Sequence, residues 1–231
     1  MTGVIDDAMA AHPLPSTAIV VATLVGAALL VVVRPVWLLL DNVVTIAHEG
    51  GHALVGILTG HSLKGVRLHA DNSGMTTLSG GRGLGSVLMT FAGYPAPSLV
   101  GLAGAYALAH GRVLLTLAVA QFALLAILFK VRNAFGFVSV VATGLVLYAV
   151  TTRGSDGAQM AVAYVLTWFL LLAAPKDLGA LGNIRAGGPD ASSDVAKLAK
   201  LTYVPALIWL GLMLAVTFGA LALAISWLLL R

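Results

Sequence analysis

Seven apolar runs, at about 16–33, 36–59, 84–109, 112–129, 134–151, 158–174 and 203–230, occupy most of this 231-residue chain. In lipid every backbone amide and carbonyl must be satisfied within the protein, so runs of this length form helices. A helix needs roughly 20 residues to cross the hydrocarbon core. By that measure the fourth to sixth runs are marginal. The expected fold is therefore an all-α polytopic membrane protein with six or seven transmembrane helices, in a single membrane-embedded domain over 1–231. Composition agrees: 10% of residues are charged, against about 25% in soluble domains. The N-terminal "MTGVIDDAMAAHPLPS" lacks the positive n-region of a signal peptide, so the first run is expected to stay in the mature protein.

The chain has no cysteine, which excludes a disulfide framework and any thiolate metal site. A metal would have to sit on His, Asp or Glu. The net charge of +4 comes from scattered Lys and Arg, with no basic patch interleaved with aromatics, so nucleic acid is not an expected partner. In a seven-span arrangement one side collects nine Lys and Arg and the other four. The positive-inside rule puts the richer side, with the N-terminus, in the cytoplasm. Two connections are long. "LKGVRLHADNSGMTTLSGG" alternates Val66 and Leu68, turns at Asp-Asn-Ser-Gly, and resumes with Met75, Thr77 and Leu78, a hairpin pattern. "KDLGALGNIRAGGPDASSD" reads as a loop within 175–202, and "SSDVAKLAKL" as a helix start with Ser192, Ser193 or Asp194 as N-cap.

Against this apolar background, "TIAHEGGHALVGILTG" places three ionisable groups within five residues. Such groups at membrane depth are costly and usually functional. His48 and His52 lie four apart, so on a helix both rings face one way and can share an ion. This is the HExxH pattern: two zinc ligands, with Glu49 placed to take a proton from water on the metal. Zinc lowers the pKa of such water to about 7. Gly50 and Gly51 cost helix propensity, but they would let another backbone approach beside the metal.

A catalytic zinc keeps three protein ligands and leaves one position open. The third comes from Asp177, Asp190, Asp194, Asp156, Asp71, Asp41, His61 or His69. Asp41 is too far along the helix axis to share the ion, and the two histidines lie in the hairpin region, where solvation is the commoner fate. Asp194 opens a stretch whose apolar face, Val195, Leu198 and Leu201, can fix it on the membrane core. Pro95 and Pro97 in "AGYPAP" free backbone carbonyls inside a crossing, which suits either a water-filled cleft or a simple kink.

Together, "TIAHEGGHALVGILTG", "LHADNSG", "FAGYPAPSLVGL", "RNAFGF" and "SSDVAKLAKLTYVPALIW" resemble the site-2 protease family of intramembrane zinc metalloproteases, in its short, actinobacterial-type branch. The resemblance spans about 41–210. It implies a motif helix near the cytoplasmic face, a β-hairpin after it, and cleavage of a substrate's transmembrane segment. His48 and His52 match the family's zinc ligands, Glu49 its acid/base, and Asp194 the position of its carboxylate ligand. The family's usual Asn-Pro segment followed by Asp-Gly is absent, which keeps Asp177 as the alternative.

The expected function is a membrane zinc (Zn2+) endopeptidase in the cell membrane, multi-pass, with its active site near the cytoplasmic face. Its expected partners are a membrane-protein substrate and the lipid bilayer. A strand around Val66 to Leu68 offers an edge on which an unwound substrate could add. The rivals are a catalytically silent scaffold of the same fold and a metal or solute transporter. A transporter needs polar groups on several crossings, and the third to sixth runs are nearly free of them.

Overall fold

The computed structural model describes residues 11–81, 83–182 and 193–230. Helix α1 (Thr17–Val32) stops where Arg34-Pro35 interrupts the first two apolar runs, and α2 (Arg34–Leu58) leaves it at 99°. Pro35 sits in the first turn of α2, where a missing N–H costs nothing. The third run also breaks. Helix α3 (Leu84–Ala92) and α4 (Pro95–Ala109) meet at 68° across Gly93-Tyr94, as the two prolines predict. There follow α5 (Val113–Leu128), α6 (Ala134–Arg153), α7 (Asp156–Gly182), α8 (Asp194–Thr202) and α9 (Ala206–Leu229).

The all-α polytopic architecture is as expected. Among the described residues α6, α7 and α9 are long and apolar enough to cross a membrane, and the count reaches five if each bent pair is one span. The first two apolar runs form one bent pair, and α5 has only 16 residues, about 24 Å of helix. Helix α7 also runs further than expected, through Pro175 into the stretch read as loop. The reason is packing: Tyr164, Trp168, Leu171, Ala174 and Leu178 form one buried stripe that continues past the proline. Along that stripe α7 packs against α1, α4 and α9 and forms the centre of the core.

The hairpin forms where the sequence places it. Strand β1 (Ser62–Leu68) pairs antiparallel with β2 (Gly74–Ser79), with an irregularity between Leu63 and Gly65. At the tip, the amide and hydroxyl of Ser73 both donate to Asp71 Oδ1, at 3.0 and 2.6 Å. These bonds hold the Asp71 carboxyl below the usual carboxylate range. Asn72 takes the left-handed conformation of such a turn (φ 63°). Its side chain donates to Leu38 O at 3.1 Å, and its carbonyl accepts from Thr45 Oγ1 at 3.0 Å. The hairpin therefore lies along α2, with its tip beyond the motif.

Both edges of β1 are occupied. Besides β2, the 130–133 segment pairs with it: Val66 N donates to Lys130 O at 2.8 Å and Arg132 N to Val66 O at 2.9 Å. The Asn133 amide brackets Leu68, donating to its carbonyl at 2.6 Å and accepting from its N–H at 3.2 Å. Addition of a substrate strand at Val66–Leu68 is thus closed, because a segment distant in sequence already fills that edge.

Candidate metal centre

The centre is assembled from the two faces that sequence periodicity brings together. On α2, His48 and His52 stand one turn apart, their ring centroids 4.8 Å from each other. Opposite them α8 begins with Ser193 as N-cap, its hydroxyl accepting from Ala196 N at 3.3 Å. Asp194 is therefore the first helical residue and its side chain is free for another task. Val195 and Leu198 anchor α8 in a small core with Leu178 and Met213. Leu201, expected on that face, is instead 50% exposed.

The ligand atoms converge. Asp194 Oδ2 lies 3.0 Å from His48 Nε2 and 3.0 Å from His52 Nε2, and the two nitrogens are 3.1 Å apart. These spacings would let all three atoms hold one ion. Surrounding contacts fix each donor. His52 Nδ1 donates to Met89 O at 2.8 Å, which leaves Nε2 as the electron-pair donor. The Tyr94 ring packs edge-on against His48, with centroids 4.6 Å apart. Lys197 Nζ donates to Asp194 Oδ1 at 3.1 Å, so the carboxylate turns one oxygen to the histidines. Burial opposes ionisation of Asp194, yet its bonds to His48 and His52 outweigh that and hold its carboxyl below the usual range.

Space for an ion is provided by Gly93, in the break between α3 and α4. A Cβ there would stand 2.5 Å from His48 Nε2 and closer still to His52 Nε2. Its backbone is ordinary right-handed helix (φ −56°, ψ −67°), so the glycine is needed for room and not for conformation. Two imidazoles and one carboxylate, with room beside them, form a group that could hold a metal ion. Gly51 serves the close approach expected of it. A Cβ there would meet Ala92 O at 2.9 Å, so α2 can press against the break.

Glu49, only 4% exposed, reaches β2 and lies within electrostatic reach of His52. Thr76 Oγ1 donates to its Oε2 at 2.6 Å and lies 3.1 Å from its backbone carbonyl. The other third-ligand candidates are placed elsewhere. Asp177, on α7, lies within electrostatic reach of Asp41 and Lys176. Lys176 itself donates to Val31 O and covers the Trp37 ring. His61 is buried, not solvated, between Thr59 and Ser86 at 3.0 and 3.2 Å. His69 and Asp71 serve the hairpin tip, and Asp156 begins α7. Asp190 lies outside the described residues. Among the described residues His48, His52 and Asp194 form the one group of three such side chains able to hold a metal ion.

A helical membrane protein that joins an HExxH helix to a distant carboxylate in this way has the architecture of a membrane metallopeptidase. The chain belongs to the Peptidase M50B-like family, whose model matches residues 21–224, and this bears out the resemblance to site-2 proteases. No curated protein and no solved structure matches the chain.

Proposed function

We propose that the protein is an intramembrane zinc endopeptidase of the short bacterial site-2 type, which hydrolyses a peptide bond in or beside a substrate's transmembrane helix. The observation that carries this reading is the His48–His52–Asp194 trio around the space left by Gly93, with Glu49 on the same helix. His48 Nε2, His52 Nε2 and Asp194 Oδ2 would hold the zinc. When bound, zinc supplies Lewis acidity to the scissile carbonyl and lowers the pKa of an attacking water. Glu49 then accepts that water's proton on its carboxylate and returns it to the departing amine nitrogen, completing hydrolysis without a covalent enzyme intermediate. Tyr94, Met89 and Lys197 keep the donors oriented throughout.

Helical peptide bonds are shielded, so the substrate must be extended before cleavage. With β1 paired on both sides among the described residues, the outer edge of β2 is the strand offered to it, and β2 contacts Glu49 directly. A neighbouring face of α2 (Ala47, Gly50, Gly51 and Leu54) borders an apolar chamber of about 1450 Å³ between α5, α6 and α7, suited to a substrate helix arriving from lipid. The reading keeps the orientation expected from the positive-inside count, with the C-terminal end of the motif helix toward the cytoplasm. The test is purified protein in liposomes with single-span membrane-protein substrates. Wild type is expected to cleave, and Glu49→Gln to bind zinc but not cleave, since glutamine keeps the shape and loses the basicity. Wild-type turnover by Glu49→Gln would remove Glu49 from the reaction.

A further inference from the structure

We propose that Thr76, on the hairpin, is the positioning residue of Glu49, so that β2 sets the geometry of the proton-transfer group. The inference rests on the peptidase reading above and adds to it a residue outside the metal motif. The alternation of β2 turns Gly74, Thr76 and Leu78 toward α2, while Met75 is 47% exposed on the other face. The Thr76 hydroxyl has a single proton to donate. Of its two acceptors on Glu49, Oε2 at 2.6 Å is much nearer than the backbone carbonyl at 3.1 Å. One carboxylate oxygen is therefore engaged, and Oε1 is left for the proton of the attacking water.

Gly74 closes the second side of the same pocket. A Cβ at Gly74 would lie 2.5 Å from Glu49 Oε1 and 2.6 Å from its Cγ, so the side chain rests against bare backbone. A glutamate has three side-chain torsions to order, and catalysis needs its carboxylate fixed to about 0.5 Å. Here both constraints come from alternate residues of one strand. That strand also carries the edge, unpaired among the described residues, on which an extended peptide would align. Base and scissile bond are thus referenced to the same element.

The test compares Thr76→Val, which removes the hydroxyl at nearly constant shape, with Thr76→Ser, which keeps it. Loss of an outer-shell partner of this kind costs about 10–100-fold. Thr76→Val should lower kcat by that factor with KM and zinc content unchanged, and Thr76→Ser should recover most of the loss. Full activity in Thr76→Val, or equal failure of both variants, would overturn the proposal. A second readout needs neither metal nor turnover. In chelator-treated protein Thr76→Val should lower Tm by about 2–4 °C, and by clearly less in a Glu49→Ala background. Equal shifts in both backgrounds would overturn the contact. Absence of cleavage by the wild-type protein would instead count against the peptidase reading, and the Tm comparison would still decide whether Thr76 acts on Glu49.

Discussion

Replacing Gly93 by alanine tests whether the space beside the histidines is there for an ion. The new methyl would start 2.5 Å from His48 Nε2 and must retreat by about 0.9 Å to reach an ordinary contact of 3.4 Å. Metal–ligand bonds tolerate only about ±0.2 Å, so either the break or the two rings must move beyond what coordination allows. A displacement near 1 Å at a reacting centre costs on the order of 100-fold, and zinc affinity should fall by at least that much. The backbone itself tolerates alanine, since Gly93 has right-handed helical angles, so the cost of the change falls on the contact with the two rings. The expected result is a folded variant, checked by its helical circular dichroism, that loses its zinc to a chromogenic chelator at far lower concentration. A folded Gly93→Ala protein holding zinc with wild-type affinity would refute the placement of the ion.

Three further outcomes follow from the same geometry. Asp194→Ala should lose zinc and all cleavage, whereas Asp177→Ala, altered beside Asp41 and Lys176, should keep its zinc; metal analysis showing the reverse would transfer the ligand role to Asp177. Asn133→Ala removes both side-chain bonds to Leu68 and should destabilise the protein by about 1–3 kcal/mol, read as a lower Tm with zinc content unchanged; an unshifted Tm would mean the 130–133 segment does not hold β1. A topology reporter between Gly80 and Gly81 should give a cytoplasmic signal and one after Arg231 an external signal; an external signal at Gly80 would invert the proposed orientation.

What could be read from the sequence was whatever depends on local spacing. HEGGH announced its own chemistry, because helical periodicity alone puts His48 and His52 on one face. Asp-Asn-Ser-Gly announced the hairpin, and Pro95 with Pro97 announced the break. Asp194 was within reach because the apolar face that follows it, with Val195 and Leu198, could fix its carboxylate. What escaped depends on contacts distant in sequence. Nothing in "LKGVRL" says that Lys130 to Asn133 will fill its edge. Met75 and Thr77 looked like the significant alternation, yet Thr76 is the residue that meets Glu49, because the face of a half-polar strand is decided by the helix it lies on. Gly93 carried a signal only in hindsight: a glycine at the proline break, whose purpose appears once the histidines are placed beneath it. The 99° angle between α1 and α2 also escaped, because an apolar run reports what lipid tolerates and not how sharply its helices bend.

The central claim is that His48, His52 and Asp194 bind one catalytic zinc. The most direct measurement is the metal content of detergent-purified protein, wild type beside His48→Ala, with each protein's folding checked by its helical circular dichroism. Two imidazoles and a carboxylate leave only solvent or substrate for the fourth position, so losing either ring should cost most of the affinity. The account predicts about one zinc per chain in the wild type and none retained after dialysis in a folded His48→Ala. Stoichiometric zinc in His48→Ala, or a wild-type protein that takes up no zinc when it is supplied, would contradict it.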